Sequence, residues 1–434
     1  MKTEEFARRR RQLMKMAGDG TILILNSAPV RLRNRDTPYP YRQDSDFFYL
    51  TGFPEPEAVL VMLPGREQGE QILFCREREP EAERWDGARA GLEGARETYG
   101  MDDAFPITDI DEILPGLIEG RNRVYYTIGR DKEFDQRIMN WAASVGKNKR
   151  PGARAPGEFV SLTHYLHDLR LFKNRPEVSA LSKAARLAAK AHRRAMAHCR
   201  PGMYEFELAA EILHEFLAAN AVASYEPIVG GGANACVLHY ITNQDRLKDG
   251  DLVLIDAGAE LNCYASDVTR TFPVNGKFSP RQKDLYEVVL EAQEAAIDAV
   301  APGRSWRDPH DAAVGRITRG LVDLGLLTGD PDALIEDEAF KRFYPHKTGH
   351  WIGLDVHDVG EYQIDGHSRE LETGMVFTIE PGVYLPPDDE ELDEAWRGIG
   401  IRIEDDVAVT RDGCRVLSKD APKTVAAIEE CMRQ

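Results

Sequence analysis

The sequence predicts an α/β (α+β) protein of two domains: residues 1–173, a mixed α/β N-terminal domain, and residues 174–434, which carry an internal αα-ββ repeat. Three observations predict it. Before residue 173, short apolar runs bounded by Gly, Pro and Asp alternate with helical periods. At Asn174 a strong helix start follows a basic, Pro/Gly-rich stretch. Beyond it, two helical stretches followed by a strand pair occur twice. With 434 residues, 42% hydrophobic and 29% charged, the chain has ample material for more than one core.

In order, residues 4–17 read as a helix. Thr21–Leu25, Ala58–Met62, Gln71–Phe74 and Arg123–Ile128 read as strands, separated by turn residues. Arg8 to Arg11 form a basic run, read as a solvated helix face. Lys147–Gly157 (KNKRPGARAPG) reads as a loop. Asn174-Arg175-Pro176-Glu177 combines an N-cap Asn with Pro in the first turn, and the helix it opens stops at Arg200-Pro201-Gly202. Helical stretches at 175–199 and 205–221 precede strands holding Asp256 and Asp267. Helical stretches at 280–300 and 310–325 precede strands holding Glu380 and Glu404. Each half therefore reads as two helices and a hairpin bearing two carboxylates.

Composition excludes several functions. The net charge is −18. Residues 1–173 hold 27 Lys+Arg against 28 Asp+Glu, a net of −1; the remainder holds 28 against 45, a net of −17. A surface of that sign repels phosphate backbones, so nucleic acid is not an expected partner. No apolar run approaches the roughly 20 residues of a membrane span, and no apolar stretch follows the basic N-terminus as a signal peptide requires. Six scattered cysteines without CxxC or framework spacing suit free thiols in a reducing cytoplasm.

Five residues stand out: Asp256, Asp267, His350, Glu380 and Glu404. Asp256 ends the run Asp251-Leu252-Val253-Leu254-Ile255-Asp256, and Asp267 lies inside the strand-like Tyr264–Phe272. A two-residue turn at Leu261-Asn262 would set Asp256 directly opposite Asp267, about 4.5–5.5 Å apart at Cβ. Glu380 ends Met375–Ile379 and Glu404 follows Gly400–Ile403, both flanked by Ile. Buried alone, such carboxylates would be strongly unfavourable. As the cage of two divalent cations they make sense. The acidic run Asp388–Glu394 reads as a solvated loop without metal. Three histidines fall within His346-Lys347-Thr348-Gly349-His350-Trp351-Ile352-Gly353-Leu354-Asp355-Val356-His357. The spacing is not HExxH and no Cys is near, which disfavours a lone zinc site. Oxygen-dominated ligation with one imidazole suits Mn²⁺, with Mg²⁺ and Co²⁺ as alternatives.

The motifs IDAGAELNCYASDVTRTFP, GHWIGLDVHDVG, FTIEPGVY and GIGIRIEDD resemble the set of the metallopeptidase family with the pita-bread fold, which includes Xaa-Pro aminopeptidases, prolidases, methionine aminopeptidases and the metal-free creatinases. RNRDTPYPYRQDSDFFYLTGF resembles the N-terminal domain of the aminopeptidase P branch, so the likeness spans nearly the whole chain. It implies an aminopeptidase P-type domain at 1–173 and a pita-bread catalytic domain, pseudo-twofold in its αα-ββ repeat, at 174–434. By the resemblance, Asp256 chelates one metal, Asp267 and Glu404 bridge both, and His350 and Glu380 complete the second. His239 and His357 resemble histidines that contact substrate and stabilise the intermediate, His346 one near a proline pocket, and Arg402 an arginine that holds a carboxylate or substrate carbonyl. Trp85, in Glu83-Arg84-Trp85-Asp86-Gly87, resembles a tryptophan that reaches into a neighbouring subunit's site. Thr348-Gly349 departs from the Ser frequent before the ligand His and leaves the ligand set intact.

The implied activity is hydrolysis of the N-terminal Xaa-Pro bond by a metal-bridging hydroxide between ions about 3.5–4 Å apart. His357 would stabilise the oxyanion, Glu380 would carry the proton to the leaving nitrogen, and Asp256 would help anchor the free α-amino group. Substrates would be peptides with proline second, and the assembly a homodimer or homotetramer. The alternatives are a prolidase confined to Xaa-Pro dipeptides, a creatinase-like metal-free hydrolase, which the intact ligand set opposes, and a non-catalytic binding module, which the ligands and acidic surface oppose.

Overall fold

The computed structural model describes residues 1–147 and 152–433, and the chain divides into two compact units, Met1–Leu169 and Arg170–Gln434. Part of the 147–157 loop expectation therefore lies outside the described residues. In the first unit a six-stranded mixed sheet runs in the order Asp103–Pro106, Gln71–Cys75, Val59–Met62, Thr21–Asn26, Arg123–Tyr126, Glu158–Ser161. The central strands read from the sequence are present within a residue or two. The two edge strands were not legible, being four residues each with little fully buried apolar side chain. Helices Ile110–Ile118 and Lys132–Gly146 contribute Leu114, Ile118, Ile138 and Trp141 to the apolar core that the sheet shares with them.

The helix Thr3–Ala17 corrects one expectation. Arg8 and Arg11 are exposed, but Arg9 and Arg10 are 1% and 0% exposed. Their guanidinium groups donate to backbone carbonyls: Arg9 Nη1 to Tyr49 O at 3.0 Å, and Arg10 Nη1 to Leu50 O at 2.8 Å and Nη2 to Gly100 O at 2.9 Å. Tyr49 and Leu50 lie in the last turn of the helix Ser45–Thr51, whose terminal carbonyls have no intrahelical partner. A planar fork of five donors serves that end and can be buried. Burial lowers the Arg10 pKa to about 10.

The second unit carries the expected doubling. Helices Arg175–His198 and Glu205–Ala218 precede an antiparallel sheet of Ile228–Gly231, Leu252–Asp256 and Thr269–Pro273. Helices Pro280–Asp298 and Asp308–Asp323 precede one of Val376–Ile379, Asp405–Thr410 and Gly413–Val416. Complete capping boxes at Asn174/Glu177 and Ser279/Gln282 start the first helix of each pair. Ala184, Ala185, Ala188, Ala191 and Ala195 keep the long first helix thin along its buried side.

The halves join along one seam. Glu404 N–H donates to Thr269 O at 3.1 Å, and Thr271 Oγ1 donates to Arg402 O at 3.0 Å. Behind the seam Arg270 Nη2 meets Asp405 Oδ1 at 2.7 Å, both side chains fully buried. Arg270 also donates to the carbonyls of Glu404, Ala421 and Pro422; Ser418, Gln293 and Lys423 complete the shell of Asp405. Although burial opposes ionisation, the Arg270 charge holds the Asp405 carboxyl down at about 2. Removing one partner of such a pair costs about 3–5 kcal/mol.

Gly258 tests this packing. A Cβ there would lie 1.7 Å from Ser266 O, a backbone atom that cannot swing away. Gly258→Ala should therefore destabilise the unit by about 2–3 kcal/mol or more, read as a fall in the midpoint of thermal or urea unfolding; an unchanged midpoint would contradict the close approach.

Candidate metal centre

Asp256 ends the strand Leu252–Asp256, but its register partner is Thr269, which corrects the expected direct pairing with Asp267. The turn falls one residue later than expected, at Asn262-Cys263, both with positive φ (53° and 66°), between the bridged Leu261 and Tyr264. A two-residue hairpin turn with both central residues left-handed accepts Asn readily and would strain Leu261. The shift moves the opposed pair by two residues, so Asp267 stays on the same face as Asp256, one diagonal step away. Residues 265–268 also leave the ladder, and Asp267 N–H donates to Asp406 Oδ2 at 3.2 Å. The Tyr225 hydroxyl then lies between the two carboxylates, bonded to Asp256 Oδ1 and Asp267 Oδ1.

The glutamates are directly opposed. Ile379 pairs with Asp405 and Gly382 with Arg402, a common register that sets Glu380 opposite Glu404. Pro381 interrupts the ladder there, and each Glu sits in the gap between two strands. Thr269 Oγ1 donates to Glu404 Oε2 at 2.6 Å, and Arg402 Nη2 reaches Asp256 Oδ2 at 2.6 Å. Along the strand Val376–Ile379, Glu380 N–H donates to Thr348 O at 2.7 Å and His350 N–H to Thr378 Oγ1 at 3.1 Å. His350 Nδ1–H donates to Trp351 O at 3.0 Å, which aims Nε2 at Asp267 Oδ2 (3.3 Å) and Glu380 Oε1 (3.6 Å).

All five expected donors are thus gathered in one place. Donor atoms of Asp267, His350 and Glu404 lie within 4.8 Å of one another. Glu380 adjoins through His350, and Asp256 through Tyr225. The electrostatics fit a cation. Burial, then the charges of Asp267, Glu380 and Asp256, push the Glu404 carboxyl well above its usual range. Burial raises Glu380 to about 7 and, against the pull of Arg402, raises Asp256. Burial alone would depress the His350 imidazole, but its hydrogen bond with Asp267 and the Glu380 charge lift it to about 9. Although burial opposes it, the hydrogen bond and charge of His350 hold the Asp267 carboxyl below its usual range. The other three carboxylates rise, the signature of negative charge in excess.

The remaining expected residues divide. His346 Nδ1–H donates to Lys347 O at 2.8 Å, and the Tyr384 hydroxyl donates to its Nε2 at 2.9 Å. Arg402 Nη1 donates to that same hydroxyl at 2.9 Å, so a continuous chain runs His346–Tyr384–Arg402–Asp256. Burial lowers His346 to about 4 and keeps it neutral. His357 is exposed, its ring 4.3 Å from that of His350 and nearly perpendicular. His239 is exposed in the turn after Gly232–Cys236. Glu205, fully buried, fastens that turn by accepting from Gly231 N, Asn234 Nδ2, Tyr240 Oη and Asp245 N. Trp85 lies in the helix Pro80–Asp86 of the first unit, 88% exposed. The acidic run Asp388–Glu394 is a largely exposed loop, with Asp389 paired to Arg342. Sequence reasoning missed Tyr225, Thr269, Thr378, Tyr384 and Glu205. Each acts through an atom that only the fold brings near.

Residues 179–411 match the model of metallopeptidase family M24, and residues 6–125 that of the aminopeptidase P N-terminal domain. The chain belongs to metallopeptidase family M24. It is 44% identical over 431 residues to the Xaa-Pro aminopeptidase of Escherichia coli, covering 99% of this chain and 97% of that one. It is 36% identical to human Xaa-Pro aminopeptidase 3, covering 99% and 86%. Among solved structures, aminopeptidase PepP of Pseudomonas aeruginosa superposes with a TM-score of 0.99 at 57% identity, covering 100% and 98%. Aminopeptidase P of E. coli with the inhibitor Pro-Leu superposes at 0.96 and 44%, with the same coverage. The family assignment agrees with a two-part chain whose second unit is a pita-bread domain. Among the described residues, no helix is long and apolar enough to cross a membrane, and all six cysteines are free.

The charge excess has a sign that can be tested. Glu380 and His350 bind protons more tightly in the metal-free fold than unfolded. The Glu380 contribution to stability is complete below about 4.5 and is lost as pH rises through about 7. That of His350 is complete below about 6.5 and is lost as pH rises through about 9. The chelated protein should lose thermal stability across this interval. A divalent ion replaces those protons, so the gain in melting temperature on adding Mn²⁺ should grow with pH. A gain independent of pH would argue against a protonated metal-free cluster.

Proposed function

We propose that this chain is an Xaa-Pro aminopeptidase, which releases the first residue from peptides with proline second. The observation that carries the reading is the gathered donor set, intact within a chain that matches a known Xaa-Pro aminopeptidase along nearly its whole length. The N-terminal domain spans 1–173 and the catalytic domain 174–434. Asp256, Asp267, His350, Glu380 and Glu404 would hold two divalent ions, Asp256 serving one, His350 and Glu380 the other, and Asp267 and Glu404 both; Mn²⁺ suits this oxygen-rich set with one imidazole. When bound, the two ions supply Lewis acidity and a water made acidic enough to attack at neutral pH.

The side chains supply the rest. Glu380 takes a proton from the attacking water and returns it to the proline nitrogen. His357 and His239 present imidazoles to the scissile carbonyl as charge develops on its oxygen. Arg402 pairs with Asp256 and orients it at 2.6 Å, where the carboxylate helps receive the substrate's α-amino group. His346, neutral and fixed between Tyr384 and the Lys347 carbonyl, forms a wall of the proline pocket. An Xaa-Pro bond has no N–H for a backbone-gripping peptidase and a ring that fixes φ, so recognition must come from such a shaped pocket. We place the enzyme in the cytoplasm as a homodimer or homotetramer, with the exposed Trp85 serving a neighbouring copy's site.

A peptide panel of Xaa-Pro, Xaa-Pro-Xaa-Xaa and Xaa-Ala-Xaa, assayed after chelation and after Mn²⁺ add-back, tests the assignment. The expected result is metal-restored cleavage of the longer proline peptide and little of the alanine peptide. Activity confined to the dipeptide would make the enzyme a prolidase, and activity that survives chelation would exclude metal dependence. Trp85→Ala should raise KM severalfold with metal content unchanged; wild-type kinetics would remove Trp85 from the site.

A further inference from the structure

His357 has no hydrogen bond of its own among the described residues, yet the proposed chemistry needs its ring held in place. The residue that follows it is anchored by buried charge. Lys173 Nζ lies 2.8 Å from Asp358 Oδ2, and Arg170 Nη2 lies 2.5 Å from Asp358 Oδ1 and 2.7 Å from Asp355 Oδ2. The side chains of Arg170, Lys173 and Asp358 are 2%, 1% and 1% exposed, whereas that of Asp355 is 40% exposed. Asp358 touches both Lys173 and Arg170.

The main chain of Asp358 is tied as well. Its N–H donates to Trp351 O at 2.8 Å and closes the loop 351–358. The same carbonyl accepts from His350 Nδ1 at 3.0 Å. One oxygen therefore joins a metal-centre imidazole to the anchor of the next imidazole, and their rings stand 4.3 Å apart. The loop folds tightly onto the cluster: a Cβ on Gly353 would lie 2.1 Å from Asp358 Oδ2 and 2.9 Å from Lys173 Cε. Buried ion pairs contribute little net stability compared with apolar packing of the same shape. What this cluster contributes is a defined position, and small misplacements of a catalytic group cost large factors in rate.

We propose that the Lys173–Asp358–Arg170 cluster is the positioning device for His357, fixing where its imidazole meets the substrate carbonyl. This rests on the Xaa-Pro aminopeptidase reading above. Arg170, Lys173 and Asp358 are positioning residues; His357 is the group that touches substrate.

A double-mutant cycle on the full-length Mn²⁺-loaded protein tests it, with kcat and KM on an Xaa-Pro-Xaa-Xaa peptide and bound metal measured together. His357→Ala should lower kcat/KM about a hundredfold. Asp358→Asn should lower it about tenfold or more, mostly in kcat, with metal content unchanged. The double variant should be no slower than His357→Ala alone. Lys173→Met should behave like Asp358→Asn, and Lys173→Arg should recover part of the loss. Losses that multiply in the double variant, or wild-type kcat in Asp358→Asn, would overturn the proposal. If Asp358→Asn gives no cooperative thermal transition, Arg170→Lys carries the same cycle, because it keeps the charge but cannot fork between Asp355 and Asp358. If His357→Ala keeps full activity, or the wild-type protein cleaves no proline peptide, the functional reading fails and takes this proposal with it. Loss in His357→Ala without loss in Asp358→Asn overturns the anchor alone.

Discussion

The Arg270–Asp405 pair is the joint on which the second unit depends. Strand residues alternate between faces. Arg270 points into the core from the first half and Asp405 from the second, where they meet fully buried at 2.7 Å. Their sequence neighbours Thr269 and Glu404 must then point the other way, toward each other across the seam, where they are hydrogen-bonded at 2.6 Å. One ion pair thus sets the register between two hairpins that are more than a hundred residues apart. The joint holds Asp256, Asp267, Glu380 and Glu404 close together against their mutual repulsion.

That repulsion is contained by several devices. Arg402 neutralises Asp256 and is itself oriented by Tyr384 and Thr269. Tyr225 offers one hydroxyl to two carboxylates. His350 faces Asp267 and Glu380 and takes on positive character from them. Thr378 fixes the backbone of His350 and donates to Glu380 Oε1 at 3.2 Å. These contacts hold the candidate donors in place but leave the charge excess unresolved, and a bound divalent cation would offset that excess. Burial lowers the pKa of His346, and burial with the charge of His350 lowers that of His357.

Much of the architecture was legible because it rests on strong local signals. Asn174 and Ser279 start helices by capping geometry that four consecutive residues encode. The central strands of the first unit are runs of Ile, Leu and Val bounded by turn residues. The five donors were legible because carboxylates in apolar strands demand a counter-charge. The edge strands Asp103–Pro106 and Glu158–Ser161 were not, since half-exposed strands carry no apolar run. The burial of Arg9 and Arg10 was hidden because their partners are main-chain carbonyls 40 to 90 residues away.

By itself, then, the sequence determined the two-part α/β plan, the doubling of the second part and the choice of five candidate donors. Those properties follow from residue type and short-range periodicity. Only the tertiary structure decided the geometry among the donors: that Asp256 lies diagonal to Asp267 while Glu380 squarely opposes Glu404, and that Tyr225, Thr269 and Asp358 serve the site. A hairpin's register turns on which two residues accept positive φ, here Asn262 and Cys263 instead of Leu261 and Asn262. Contacts between hairpins turn on a buried joint formed only when both have folded. Neither is a property of a local stretch of chain, so neither can be read before the chain is closed on itself.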